Sequence, residues 1–164
     1  GVLIPHCRTV DDAQALRTAA MYPPEGNRGF GPARGMKWGR VAPEDYFREI
    51  NDTVVLLALV EDIEGVENIG AIAASGLLDV LWVGTGDLAM AYGHPGERDH
   101  PQVQAAAERI LAACLEHGVA AGYPARSPEE AEWAAAQGYR AIGYAGAEAY
   151  VMKQSRAFLD TVGR

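Results

Sequence analysis

The chain has 164 residues, a formal charge of −8 and an apolar share of 49%. This length suits a single domain with its own core, spanning residues 1–164, and is short for two. The negative charge argues against nucleic acid and against an anionic membrane surface, because their phosphates would repel it. No long uncharged apolar segment is present that could span a membrane. Cys7 and Cys114 stand far apart in no metal-like spacing, which favours a reduced, cytoplasmic setting.

Short apolar segments alternate with helix-like segments along the chain. The predicted strands cover residues 2–5, 53–61, 78–84, 119–124 and 141–146. The predicted helices cover residues 9–21, 43–52, 63–74, 101–117, 128–137 and 147–162. Glycines, prolines and arginines between residues 22 and 43 predict a long loop, and loops of that length in compact domains are usually functional or disordered.

The apolar runs predict a parallel sheet that is covered by helices, an α/β fold. A doubly wound sheet could be built from five strands, but no dinucleotide fingerprint follows any of them. An eight-stranded barrel typically needs about 250 residues, so five units would be part of one. The sequence opens inside a strand, which favours the C-terminal five β/α units of a TIM (β/α)₈ barrel. In both architectures the active site lies beyond the C-terminal ends of the strands.

Two carboxylates stand at the ends of successive predicted strands. Glu61 closes the most apolar strand of the chain, and Asp87 follows the next strand, one β/α unit later. An isolated buried charge is costly unless it is paired or binds a metal. Because neighbouring parallel strands lie about 4.8 Å apart, the two carboxylates can share one small cation. Their hard oxygen ligands favour Mg²⁺ or Mn²⁺, with positions left for water and substrate.

Glycines precede Asp87 in the stretch VGTGDLAM. Gly84, Thr85 and Gly86 offer backbone N–H groups beside the start of a helical segment, and such amides can cradle a substrate carboxylate. A 2-oxo acid would then chelate the cation through its carboxylate and keto oxygens. The cation would stabilise the enolate that forms when a C–C bond breaks or a proton leaves.

Each of these residues also has a structural interpretation. Asp87 after a glycine fits turn and N-cap chemistry. Glu61 could equally be the buried ion-pair partner of Arg28 or Arg34. His6 could act as a base near neutral pH, although a single histidine is more often structural. The pair of carboxylates at successive strand ends favours a site, but residue spacing alone does not identify the reaction.

Several stretches along nearly the whole chain together make it similar to one known family. They are LIP, AAMYPPEGNRGFG, the ND before the second strand, VEDIEGVENI, VGTGDLAMAYGHPG, HPQVQAAAERI and the glycine at position 138. On these stretches the sequence resembles the class II pyruvate (2-oxo-acid) aldolases of the HpcH/HpaI family. The resemblance implies a (β/α)₈ barrel, generally assembled as a hexamer, that reversibly cleaves 4-hydroxy-2-oxo acids to pyruvate or a related 2-oxo acid plus an aldehyde.

The resemblance also implies site residues. A divalent cation (Mg²⁺, Mn²⁺ or Co²⁺) would be held by Glu61 and Asp87, the pair already selected from the strand ends. The substrate carboxylate would be bound by the amides of Gly86 and Asp87, in the turn that also contains Thr85.

The chain departs from the family pattern at several positions. Thr85 and Gly86 stand where the family usually has proline and alanine, and Leu59 stands where a substrate-contacting glutamine is frequent. His6 replaces a usually apolar residue and is expected to tune the aldehyde pocket. The family's catalytic histidine, its supporting aspartate and a charge-stabilising arginine belong to earlier strands, so no residue here is assigned those roles. The expectation is that these 164 residues alone neither close a barrel nor run the full reaction.

Two alternatives stay open at this point. A citryl- or malyl-CoA lyase would share the fold and the metal carboxylates, and the loop of residues 28–40 is the one candidate for a basic CoA groove. A non-catalytic remnant or oligomerisation module is the other alternative, and the retained Glu61 and Asp87 argue against it.

Overall fold

The computed structural model of the chain describes residues 1–31 and 34–163, so that Pro32 and Ala33 of the predicted long loop lie outside the described residues. The strands are β1 (Val2–Ile4), β2 (Leu56–Val60), β3 (Val80–Val83), β4 (Ala120–Ala125) and β5 (Ala141–Tyr144). The helices are α1 (Val10–Ala20), α2 (Pro43–Thr53), α3 (Ile63–Glu67), α4 (Ile69–Ala74), α5 (Thr85–Ala91), α6 (Pro101–His117), α7 (Pro128–Gln137) and α8 (Ala147–Thr161). The predicted alternation of strands and helices is confirmed.

The strands form one parallel sheet in the order β1-β2-β3-β4-β5, which is also their order in the chain. A doubly wound sheet reverses its strand order at a switch point, and this sheet has no reversal between its five strands. Parallel crossovers are right-handed, so a sheet that winds in one direction carries its helices on one face. The sheet is therefore wound like part of a barrel wall.

Burial alternates along β2 in agreement with this winding. Leu56, Ala58 and Val60 are buried in the main core, whereas Leu57 and Leu59 on the opposite face are only partly buried. The main core lies between the sheet and the helices and includes buried side chains of α1, α4 and α6. Each fully buried leucine or valine side chain contributes roughly 1.5–3 kcal/mol, so this face supplies most of the stability of the unit.

The face opposite the core carries Trp82 of β3. A Cβ atom added to Gly122 would lie 2.4 Å from the indole Cε3, and one added to Gly143 would lie 2.9 Å from Cη2. The indole therefore lies flat across β4 and β5, where the glycines leave room for it.

Helix ends follow the local sequence closely. Thr9 caps α1 in a reciprocal capping box with Asp12, and Ser127 caps α7 by accepting from the Glu130 amide. The helix α6 is followed by Gly118, whose φ of +73° is left-handed, as is common for a glycine that caps a helix C-terminus.

Several boundaries differ from the sequence prediction, and three of these differences change the description of the chain. The predicted second strand began at Thr53, but Thr53 ends α2, and β2 begins at Leu56. The predicted single helix over residues 63–74 is broken at Asn68, whose side-chain amide donates to the Arg8 carbonyl at 2.9 Å. The helix after β3 begins at Thr85, so Gly86 and Asp87 lie in its first turn instead of ahead of it.

The long loop between α1 and α2 is tied to α2 by Asn51. The Asn51 side chain accepts from the Tyr22 amide at 2.8 Å and donates to the Tyr22 carbonyl at 2.9 Å. Tyr22, Met36 and Tyr46 form a small second core beside it. The ND stretch noted in the sequence thus includes a residue that fixes the start of the loop. Among the helices that the structure describes, none is long and apolar enough to cross a membrane.

Candidate active site

The register between β2 and β3 brings the two predicted carboxylates to one edge of the sheet. Val60 pairs with Val83, and the Gly84 amide donates to the Val60 carbonyl at 3.1 Å. Glu61 therefore stands opposite Gly84, and Asp87 follows within the first turn of α5. The sequence predicted that Glu61 and Asp87 would lie close together, and the pairing of β2 with β3 brings them to the same edge of the sheet.

Gly84 makes room for the Glu61 side chain. A Cβ atom at position 84 would lie 2.5 Å from the Glu61 Cβ and 2.8 Å from Oε2. Both distances are far below van der Waals contact, so the two side chains cannot coexist without a shift. The φ of Gly84 is −90°, which any residue can adopt. This glycine is thus required by a close approach and not by its backbone conformation, a role that the sequence alone did not reveal.

Glu61 is a buried carboxylate, with 4% of its surface exposed. Burial raises its pKa, the amide of His6 opposes that rise, and the neighbouring Asp87 carboxylate adds to it. A buried carboxylate whose charge is disfavoured by a neighbouring carboxylate would be stabilised by a divalent cation held between the two. Within the described residues, no group of three or more His, Cys, Asp and Glu side chains is placed to hold an ion.

His6 holds the Glu61 carboxylate from the β1 side. Its backbone N–H donates to Glu61 Oε1 at 2.9 Å, and its ring Nδ1 lies 3.0 Å from Asp62 Oδ2. Asp62 also pairs with Arg8 Nε at 3.1 Å. Although burial raises the pKa of Asp62, hydrogen bonds from Arg8 and His6 bring it below its usual range.

The turn into α5 presents backbone amides beside Asp87. Gly86 and Asp87 are exposed, whereas Thr85 is buried with 1% of its surface accessible. First-turn amides of a helix have no carbonyl partner within it, so those of Gly86 and Asp87 are free of the helix's own hydrogen bonds. Thr85 contributes its side chain to the protein interior.

Other residues singled out in the sequence lie elsewhere. In the described part of the chain, the basic side chain recorded beside Glu61 is that of His6, whose Nδ1 lies 3.5 Å from Oε1. Arg28 instead stacks over the Tyr22 ring at 4.7 Å, so the predicted alternative of a Glu61–Arg28 pair is wrong. Leu59 faces the open side of the sheet, where it pairs with Trp82 in register.

A parallel sheet wound in one direction, with a buried Glu and an adjacent Asp at its C-terminal edge, places the chain among α/β folds with barrel-type winding and an acidic candidate site. The chain belongs to the HpcH/HpaI aldolase/citrate lyase family, whose model matches residues 1–150.

Curated relatives agree with the family. A Klebsiella pneumoniae protein named 5-keto-4-deoxy-D-glucarate aldolase is 40% identical over 131 residues, which make up 79% of this chain and 50% of that protein. The chain thus spans about half the length of the curated relatives it matches.

Solved structures share the fold over almost the whole chain. An HpcH/HpaI aldolase from Desulfitobacterium hafniense superposes with a TM-score of 0.87 at 25% identity, covering 98% of this chain and 62% of that one. A family protein from Burkholderia cenocepacia gives a TM-score of 0.85 at 32% identity, covering 99% of this chain and 64% of that one.

Proposed function

We propose that the protein containing this chain is a divalent-metal-dependent aldolase that reversibly cleaves 4-hydroxy-2-oxo acids to pyruvate, or a related 2-oxo acid, and an aldehyde. The observation that carries the proposal is the buried Glu61 carboxylate, whose pKa is raised by burial and by Asp87. A buried carboxylate that also faces a second carboxylate carries a free-energy penalty when it is ionised, and a bound cation would offset that penalty.

Each residue of the site has a role in the proposal. Glu61 and Asp87 would hold the cation, with Mg²⁺, Mn²⁺ or Co²⁺ as candidates. The cation would supply stabilisation of the negative charge that develops on the keto oxygen as the C–C bond breaks. The amides of Gly86 and Asp87 would bind the substrate carboxylate and so fix the orientation of the 2-oxo acid. Thr85 would shape this turn from inside through its buried side chain.

The first substrate to test is 5-keto-4-deoxy-D-glucarate, which the curated relatives' name supplies. Counted from the carboxylate beside its keto group, this compound is a 4-hydroxy-2-oxo acid, the class that the proposal requires. Cleavage between the carbon that bears that hydroxyl and the neighbouring methylene would release pyruvate.

The remaining parts of the proposal concern the whole protein. The sequential winding and the share of the longer relatives that is covered support part of a (β/α)₈ barrel. That this part is the C-terminal five units is proposed on the family resemblance. The base that moves the proton is not assigned to any residue here. A homo-oligomer, hexameric by family resemblance, is proposed on that resemblance alone.

The decisive experiment measures pyruvate release by the protein at its full natural length. Chelation of divalent cations should abolish release, and added Mn²⁺ should restore it. Glu61→Gln and Asp87→Asn should each reduce kcat/KM by at least 100-fold, because each removes one of only two charged ligands. Wild-type activity in both variants would refute the assignment of the site.

The same assay separates the competing functions. The family description includes citrate lyases, so turnover is measured with and without CoA thioesters of hydroxy acids. Turnover that requires the CoA moiety would replace the aldolase proposal with a lyase of acyl-CoA substrates. Metal binding without turnover of either class would favour a non-catalytic module.

A further inference from the structure

The turn after β1 has an unusual backbone at His6. The φ of His6 is +54°, in the left-handed region that non-glycine residues seldom occupy. The next amide, that of Cys7, donates to the Leu59 carbonyl at 3.0 Å, so the chain resumes its pairing beside β2 immediately after His6. His6 therefore lies in the short turn between the end of β1 at Ile4 and the Cys7 amide that again bonds to β2.

This left-handed turn aims an amide at Glu61. With ordinary extended backbone, alternate amides of β1 would point at the neighbouring strand's carbonyls. At His6 the amide instead reaches the Glu61 side chain, at 2.9 Å from Oε1. The other oxygen, Oε2, lies on the side of Gly84, at 2.8 Å from the Cβ position of that glycine. The Asp87 carboxylate also acts on Glu61 and raises its pKa.

Asp62 contacts the side chains of His6 and Arg8 and does not cap the helix that follows it. Asp62 occupies the N-cap position of α3, where an aspartate side chain ordinarily accepts from a first-turn amide, but it makes no capping hydrogen bond. Its carboxylate is engaged by the His6 ring at 3.0 Å and by Arg8 Nε at 3.1 Å.

We infer that His6 is a positioning residue for the metal ligand Glu61, and that Asp62 and Arg8 anchor it. The inference rests on the proposed function, because it concerns the cation that Glu61 and Asp87 would share. The anchored ring keeps the backbone left-handed, and the left-handed backbone keeps its N–H on Oε1. Oε2, on the side of Gly84, is thereby the oxygen that remains for the proposed cation. Groups that orient a metal ligand in this way commonly change metal affinity by 10- to 100-fold when they are lost.

The test measures the dissociation constant for Mn²⁺ by electron paramagnetic resonance on the full-length protein. His6→Val should weaken Mn²⁺ binding by about 10-fold or more, because a β-branched residue is an outlier at positive φ. His6→Asn should stay within about 3-fold of wild type, because asparagine tolerates this backbone and its amide can donate to Asp62. His117→Val, a histidine change at the distant end of α6, is the matched control and should leave the affinity unchanged.

A second variant tests the anchor with His6 left in place. Asp62→Ala removes the acceptor of the His6 ring and should also weaken Mn²⁺ binding, by about 10-fold. For each weakened variant, saturating Mn²⁺ should return kcat to within about 3-fold of wild type, because the catalytic groups themselves are intact. A kcat that stays below one tenth at saturating Mn²⁺ would overturn a positioning role.

Mn²⁺ binding by the Glu61→Gln protein distinguishes a failure of the proposed metal site from a failure of the inference about His6. If Glu61→Gln binds Mn²⁺ as tightly as wild type, the proposed metal site is wrong and the inference falls with it. If Glu61→Gln loses Mn²⁺ while His6→Val and Asp62→Ala bind it normally, only the inference about His6 is overturned. Weakened binding in both variants, with His6→Asn near wild type, supports it.

Discussion

Replacing Gly84 by alanine is the sharpest test of how the site is packed. The added Cβ would lie 2.5 Å from the Glu61 Cβ, 2.8 Å from its Oε2 and 3.4 Å from its Cα. The first two contacts are impossible without movement, and the Glu61 Cβ is fixed to the backbone at the end of β2. Overpacking of this kind typically costs 1–3 kcal/mol. The φ of −90° at Gly84 adds no backbone penalty, so the cost measures the clash itself.

The expected result is a free energy of unfolding that falls by about 2 kcal/mol in urea titrations. Mn²⁺ affinity should fall as well, by roughly 10-fold, because Glu61 must rotate or withdraw from Asp87. Gly70→Ala is the matched control: Gly70 is exposed in α4 and has no heavy atom within 4 Å of its Cβ position. That change should be neutral or slightly stabilising, since alanine is the better helix former.

A double-mutant cycle attributes the loss to Glu61. In a Glu61→Gly background the two closest contacts of the new methyl group are removed, and the Cα of residue 61 at 3.4 Å remains. The cost of Gly84→Ala should then drop by at least 1 kcal/mol, which is the coupling energy of the pair. Equal costs in both backgrounds, or a Gly84→Ala protein as stable as wild type, would refute this account of the packing.

Three further changes test other parts of the structure. In the metal-free protein, Glu61→Gln should raise the free energy of unfolding at pH 7 by roughly 1 kcal/mol. Urea titrations should show this gain shrinking as the pH falls toward about 4. Because the pKa of Glu61 is raised in the folded protein, the folded state takes up the proton at a higher pH than the unfolded chain does. Once Glu61 is protonated, it no longer differs in charge from glutamine. Gly122→Ala should destabilise by about 1–3 kcal/mol through Trp82 and change its fluorescence; an unchanged emission spectrum would contradict the contact. Asn51→Ala should cost about 2 kcal/mol by freeing the Tyr22 peptide group, and limited proteolysis should then cut the α1–α2 loop faster.

The part of the site that the sequence predicted depends on strand order. Apolar runs of strand length identify β2 and β3, and consecutive parallel strands usually lie side by side. Glu61 and Asp87 at their C-terminal ends therefore had to be neighbours, whatever the detailed geometry. The helix boundaries at Gly118 and Thr9 were equally readable, because capping is decided by a few adjacent residues.

The part that the sequence did not predict depends on contacts between distant residues. The break at Asn68 arises where its side chain meets the Arg8 carbonyl, 60 positions away. Val54 and Val55 read as strand because they are β-branched, but α2 must first end before the chain can enter the sheet. The hydrogen bond from the His6 amide to Glu61 joins residues 55 positions apart, and it requires left-handed backbone at His6. No local sequence pattern predicts that a histidine adopts this backbone.

Asp62 links the stability of α3 to the arrangement of the candidate site. Its carboxylate contacts the His6 ring and Arg8, and α3 is left without a side-chain cap. A serine at position 62, with its shorter side chain, would cap α3 and recover about 1 kcal/mol. The same change would remove the acceptor of the His6 ring, so the stability gained at α3 would come with the loss of a contact beside Glu61.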